Sequence, residues 1–483
     1  MTVAVRVGGP KPGIDGLEST PMHRTPTSPA LPCALILLLT GFLILALSPS
    51  AHAFAPDPGG DENASLTKPP AGKELGFNDS FRLEGLGAAV QASLIAAVGG
   101  NAARMPVQWW GLEPARDQWN ELLWAQYQSA YDDLLARGIR PHLSITHAPP
   151  WARDADYEGC LVRADCNYPP ARDELGQWRE LLAELATRFP EATLGIWNEP
   201  NHLGAWRSGV DPERYAELLA AAYDSVKEAS PTTGVFGPAL GAATKPGGLD
   251  YRTFLDRAYA AEPSFKDHAD AIDIHLYPTR YLGTDSHFAR VIDDIRQVRA
   301  AHGDDGLPIY VTEIGATTSG PIAVSPADQA DFILRVTRKL LTMPDVSGVL
   351  VHRLVESASH LEDHHETGFG LLGHGSEPLL TPKPAYCALT RAAGTAYPGC
   401  TVRPPAVRGP KRSRARRITF RVSPRDATTG SVCRLDRGRF KACEGRYRTR
   451  RLKPGRHVLR VRATAGSGEL SRRLIVRRFR VVR

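Results

Sequence analysis

Between Glu74 and Gly394 the chain repeats one pattern eight times: a short run of β-branched or apolar residues, then a longer stretch leading to the next run. The short runs are 75–78, 103–109, 141–147, 193–198, 234–238, 271–277, 308–313 and 348–354. They are short and largely apolar, as strands buried on both faces of a sheet are. The intervening stretches 120–137, 173–188, 212–227, 286–301 and 325–341 carry apolar residues at helical spacing with polar opposite faces. Strand and helix alternating eight times over about 320 residues closes most simply into a (β/α)8 barrel. A doubly wound open sheet is the competing fold, but no Gly-rich phosphate loop follows the first run.

Charge divides the chain. From Thr401 onward there are 27 Lys and Arg against 4 Asp and Glu, a net of +23; because the whole chain is +7, residues 1–400 carry −16. Such asymmetry marks a boundary between an acidic and a basic region. The stretch 401–417, with Pro404, Pro405, Gly409 and Pro410 among basic residues, reads as a linker. Beyond it, runs at 418–422, 433–436, 457–464 and 473–482, with turns at Arg437-Gly438 and Pro454-Gly455, predict a small all-β sandwich over 418–483.

The first 53 residues hold one apolar stretch, 34–47, followed by Ser48-Pro49-Ser50-Ala51-His52-Ala53, with small residues where a signal peptidase cuts. That run is shorter than the roughly 20 residues a permanent membrane helix needs. Residues 1–53 are therefore expected to be a signal peptide, with Met22 as an alternative start, and 54–73 a linker before the barrel at 74–400. Export and an oxidising compartment agree with the cysteines. Outside the leader they fall into three close pairs, Cys160 with Cys166, Cys387 with Cys400 and Cys433 with Cys443, the natural disulfide proposal. No Cys-x-x-Cys spacing supports a zinc site. The cluster His360, Asp363, His364, His365 and Glu366 reads as a polar loop, and no metal or cofactor is expected.

Two carboxylates end predicted strands, where a barrel of this kind gathers its active site. Glu199 lies in Ile196-Trp197-Asn198-Glu199-Pro200-Asn201 and Glu313 in Tyr310-Val311-Thr312-Glu313-Ile314-Gly315, on the fourth and seventh strands. Glycoside cleavage needs such a pair, one to protonate the leaving oxygen and one to attack or stabilise the oxocarbenium-like transition state. Here the sequence resembles the clan A glycoside hydrolases, retaining barrel enzymes with glutamates after strands four and seven. The resemblance implies Glu199 as acid/base, Glu313 as nucleophile, Asn198 as a contact to the sugar 2-hydroxyl, Arg104 beside the nucleophile, and His275 and Tyr277 on strand six, with Tyr277 hydrogen-bonded to Glu313. Arg104-Met105-Pro106-Val107-Gln108-Trp109, Thr367-Gly368-Phe369-Gly370-Leu371-Leu372 and Lys383-Pro384-Ala385-Tyr386 resemble segments of family 39 and family 5 barrels. One departure stands out: strand eight reads Val351-His352-Arg353-Leu354, where many members carry a Trp. Retention predicts carboxyl groups about 5 to 5.5 Å apart, against about 6.5 to 9.5 Å for inversion. An acid working at neutral pH further leads to an expectation of a raised pKa for Glu199.

Aromatic faces stack on sugar rings, so Trp109 and Trp151, near strand ends, are substrate-contact candidates, as is His147 at the end of strand three. The basic region resembles the small disulfide-bearing immunoglobulin-like modules of bacterial exported proteins, in Cys433-Arg434-Leu435-Asp436 through Cys443. For an exported chain its charge points to an anionic cell-envelope polymer rather than nucleic acid. The resulting expectation is a secreted retaining glycoside hydrolase, held at the cell envelope by its basic region, acting on a poly- or oligosaccharide without a stable transmembrane anchor. The alternative is a carbohydrate-binding surface protein whose barrel has lost catalysis.

Overall fold

The computed structural model describes residues 69–78, 86–153, 166–278, 285–356, 365–373, 380–397, 399–400, 403–423, 425, 429–443, 445–465, 471 and 473–483. The leader, Cys160, His360, Asp363 and His364 lie outside them, and with these the signal peptide and the Cys160–Cys166 bridge. The chain divides after Ala53 into two units, and everything below concerns the second. Among the described residues no helix is long and apolar enough to cross a membrane.

Eight parallel strands form a closed barrel in sequence order: β1 (Glu74–Asn78), β2 (Ala102–Gln108), β3 (Arg140–Thr146), β4 (Thr193–Ile196), β5 (Gly234–Gly241), β6 (Ala271–Leu276), β7 (Ile309–Ile314) and β8 (Val346–His352), with β1 pairing β8. Each strand sits within a few residues of its expected run. Every residue of β1 and β6 is buried, as strands packed inside and covered outside must be. The outer layer is α1 (Ala88–Ala97), the short α2 (Trp109–Leu112), α3 (Glu121–Leu135), α4 (Leu175–Arg188), α5 (Pro212–Ala229), α6 (Tyr251–Ala261), α7 (Asp285–Ala301), α8 (Pro326–Leu341) and α9 (Pro384–Ala392).

Local chemistry starts these helices where the sequence says. Asn120, Asp211 and Ser325 each accept a backbone N–H of the first turn of α3, α5 and α8, and proline follows the cap at Pro212 and Pro326. α9 closes the ring. Its Tyr386 hydroxyl donates to the Leu94 carbonyl of α1 at 2.9 Å, and the Cys387–Cys400 bridge ties it to the loop that follows.

A short antiparallel pair, β9 (Leu372–Gly373) and β10 (Thr381–Pro382), lies between β8 and α9, and the basic C-terminal region beyond is all β. Antiparallel β11 (Ala406–Arg408), β13 (Thr419–Ser423) and β16 (Gly445–Arg448) form one sheet. β12 (Arg412–Ser413), β18 (Ile475–Val481), β17 (Gly455–Ala465), β14 (Thr429–Leu435) and β15 (Lys441–Ala442) form the other. Val407, Phe420, Val422, Leu459, Val461, Phe479 and Val481 from both sheets share one core, and Cys433 is bridged to Cys443. Within the stretch read as a linker, residues 406–408 and 412–413 are strands of these sheets; runs of two or three residues carry no readable period.

Candidate active site

Asn198 and Glu199 leave the end of β4 through a tight backbone path. Trp197 and Glu199 both adopt left-handed conformations, with φ of 67° and 45°, which non-glycine residues adopt only when surrounding structure compels them. The constraint is visible. The Trp197 N–H donates to the Ile145 carbonyl at 3.0 Å and the Glu199 N–H to the Ala239 carbonyl at 2.8 Å. Trp197 is fully buried, with its indole N–H on the Ala205 carbonyl. The buried Asn201 side chain bonds the backbone of Gly241 and Leu249, fastening this loop to the end of β5.

Arg104 of β2 is the hub of the site and is 4% exposed. Its Nη1 donates to Glu313 Oε1 at 2.8 Å and Asn78 Oδ1 at 3.0 Å, and its Nη2 to Ser144 Oγ at 2.9 Å and Asn198 Oδ1 at 2.7 Å. One planar guanidinium thus holds side chains from β1, β3, β7 and the end of β4, a geometry an ammonium cannot reproduce. With its oxygen taken by Arg104, the Asn198 amide has its nitrogen left to donate elsewhere. Tyr277 donates its hydroxyl to Glu313 Oε2 at 2.5 Å.

His275 joins the two carboxylates. Its Nδ1 lies 3.2 Å from Glu199 Oε1 and 3.6 Å from Glu313 Oε2, so those two oxygens are no more than about 7 Å apart, a bound that admits the retaining spacing. Burial pushes the Glu313 carboxyl up, but His275, Arg104 and His352 outweigh it and hold it below the usual carboxylate range.

Glu199 departs from expectation. Burial raises it, yet hydrogen bonds from His202 and His275 and the charges of His275 and Lys245 hold it well below the ordinary value, so it is ionised rather than poised as an acid in the free site. The sequence does not reveal two of these partners. His202 Nδ1 is 2.8 Å from Glu199 Oε2 while its Nε2 donates to the Ala243 carbonyl at 2.7 Å, and Lys245 Nζ donates to the same Oε2 at 2.8 Å. The single sequence hint is a histidine three residues after the glutamate. Gly241 is required here: a Cβ at that position would lie 2.1 Å from the His202 ring.

Arg104, Asn198, Glu199, His275, Tyr277 and Glu313 therefore form one connected cluster at the C-terminal ends of the strands. His352 borders it at the end of β8. Its Nδ1 is 3.1 Å from Asn78 Nδ2, and its ring stands edge-on to Tyr277 with centroids 5.9 Å apart. His147 turns off β3 with φ of 58° and bonds Thr146 Oγ1 through Nδ1. Trp109 does not fit its expected role. It is 0% exposed, packs against Trp151 and Trp178, and gives its indole N–H to Glu113, so neither ring face is open to a sugar; it fills the layer between strand and helix. Trp151 is half-buried, with its N–H on the Glu113 carbonyl and the Arg116 guanidinium 4.7 Å from its ring centroid. Glu366 pairs with His352 at 3.2 Å, and no cluster of metal-binding side chains occurs among the described residues.

Carboxylates facing each other across a barrel mouth are what glycoside cleavage uses. Residues 170–361 match the family model described as the glycosyl hydrolase catalytic core. Among solved structures, a family 5 glycoside hydrolase variant from Bifidobacterium longum, in complex with Manβ1-4GlcNAc, is similar at 14% identity, covering 67% of this chain and 78% of its own, with a TM-score of 0.51. A family 39 glycoside hydrolase from Bacteroides cellulosilyticus is similar at 18% identity over 78% of this chain and 81% of its own, with a TM-score of 0.49. A β-xylosidase from Caulobacter crescentus, 18% identical, covers 85% of this chain and 94% of its own, with a TM-score of 0.46. A search of curated protein sequences returns no relative.

Proposed function

We propose that the protein is an exported retaining glycosidase that cleaves a β-type bond of a poly- or oligosaccharide by double displacement. Glu313, held ionised by His275 and Arg104 and accepting the Tyr277 hydroxyl, attacks the anomeric carbon; the bond to the leaving oxygen breaks as Glu199 gives that oxygen a proton. Glu199 then takes a proton from water, whose oxygen displaces Glu313 and returns the sugar with its starting configuration. Asn198, oriented by Arg104, offers its amide N–H to the sugar beside the reacting carbon.

The proton for the first step has a source. Because His202 commits Nε2–H to the Ala243 carbonyl, its Nδ1 is a donor when the ring is cationic and an acceptor when Glu199 is protonated, so one proton serves either arrangement of the pair. Lys245, whose side chain is 56% exposed, is the partner an entering leaving-group sugar displaces, and its departure favours the protonated carboxyl. The basic C-terminal region attaches the enzyme to an anionic cell-envelope polymer.

The observation that carries this reading is the single His275 nitrogen within 3.2 and 3.6 Å of the two carboxylates. Its test is to follow the anomeric proton of the first product by NMR over a panel of aryl β-glycosides. Retained configuration supports it, as does a folded Glu313→Gln variant that binds sugar without turning it over; inverted product, or full turnover in that variant, overturns it.

A further inference from the structure

Seven arginines share one face of the five-stranded sheet. Cys433 of β14, Leu459 and Val461 of β17, and Phe479 and Val481 of β18 point into the core. Side chains alternate along a strand, so Arg434, Arg456, Arg460, Arg462, Arg478 and Arg480 stand on the opposite, outer face. Register then aligns them. Arg412 of β12 pairs with Arg480, and Arg480 with Arg456, a row of one guanidinium per strand across three neighbouring strands. Arg460 pairs with Arg434, Arg478 stands opposite Val458 and Arg462 opposite Val432. With strands about 4.8 Å apart and about 3.3 Å per residue, the patch measures about 20 by 14 Å.

Like charges directly opposite on a sheet repel, and no described carboxylate pairs with these. Among the described residues none of the seven is in an ion pair. Asp436, the one described carboxylate of the region, is taken by His457 Nδ1 and the Val458 N–H, each at 2.9 Å. The Nε atoms of Arg434 and Arg462 are buried without an acceptor. A ligand of opposite charge relieves what the fold leaves uncompensated.

Extending the polymer-attachment reading above, on which it rests, we propose that this face binds a linear polyuronate-type glycan, one carboxylate per sugar, laid across the row Arg412, Arg480 and Arg456 and along β17. The planar guanidinium fork takes carboxylates two bonds at a time. A polymer charged on every sugar matches a row charged on every strand. The face presents arginine and valine, with one aromatic ring at its edge, Phe440, covered by the Arg434 guanidinium 4.8 Å from the ring centroid, whereas proteins that track single-stranded nucleic acid stack successive bases on several open aromatic rings. The same chain matches a glycosyl hydrolase core, so a glycan is the polymer both regions meet.

The test uses the full chain carrying Glu313→Gln, so that probes are not degraded, and titrates polygalacturonate, inorganic polyphosphate, duplex DNA and neutral dextran at low and moderate salt. Polygalacturonate is expected to bind best, and its affinity to fall about tenfold or more both with added salt and in an Arg412→Ser/Arg456→Ser/Arg480→Ser variant. The same triple change beside intact Glu313 is expected to leave hydrolysis of small aryl glycosides unchanged. Equal binding by the triple variant overturns the assignment of this face while leaving polymer attachment standing. Tighter binding of polyphosphate or DNA overturns the glycan assignment, and no binding of any polyanion overturns both.

Discussion

Replacing Arg104 by Met removes four hydrogen bonds at once and separates two effects that pH tells apart. Glu313 loses a cation 2.8 Å from Oε1 but keeps the Tyr277 hydroxyl and His275. An opposite charge at such range lowers a carboxyl, so its loss is expected to raise Glu313 from its depressed position. Protonated Glu313 cannot attack, so the acid limb of kcat/KM, set in the parent by a carboxyl held below its usual range, is expected to move to higher pH. Asn198 meanwhile loses the 2.7 Å charged bond that sets its amide. Bonds of this kind contribute about 1.5 to 3 kcal/mol, which predicts a fall of about 10- to 100-fold in kcat/KM at pH 7, where Glu313 is still ionised. Stability follows the same sign. A carboxyl lowered by folding stabilises the fold above its unfolded pKa and loses that contribution as pH falls toward the folded value, so the parent's advantage in Tm over the variant should narrow under acid. The assay is kcat/KM against pH on an aryl glycoside, with Tm across the same range. An unmoved acid limb together with less than about a threefold loss at pH 7 would mean that Arg104 neither holds the nucleophile ionised nor orients Asn198.

His202→Gln keeps a donor to Glu199 but loses the ring that bridges Glu199 and the Ala243 carbonyl; kcat/KM is expected to fall about tenfold or more, and an unchanged rate would remove His202 from proton supply. Replacing Cys433 and Cys443 by Ser opens a loop with a sequence separation of 10, which should cost about 2 to 3 kcal/mol. Hydrogen exchange across β14 and β17 is expected to quicken while the barrel strands hold, and equal protection in both forms would deny the bridge a stabilising role.

The barrel was legible because its strands are short apolar runs at nearly regular intervals, a pattern with few closed solutions. α1 was not singled out, since Ala88–Ala97 is apolar almost all round and lacks a polar face to give it a period. The four short strands β11, β12, β15 and β16 were missed for a related reason: they run two to four residues. At the site, residues that end strands could be found, because strand ends are where a barrel converges. His202 and Lys245 could not, for they reach Glu199 through loops after β4 and β5 that only barrel closure brings together. The direction of the Glu199 shift failed with them, because the sequence showed the burial and the opposing carboxylate but not the cations. Trp109 failed differently: nothing local separates a tryptophan that floors a pocket from one that fills the layer behind it.

The sharpest measurement is to trap the glycosyl-enzyme. An activated 2-deoxy-2-fluoro glycoside slows both steps, and with a sugar the site accepts, peptide mass analysis should find one sugar added to the peptide containing Glu313 and none in Glu313→Gln. A label on any other carboxylate, or rapid turnover through a product of inverted configuration without any adduct, would contradict double displacement at this pair.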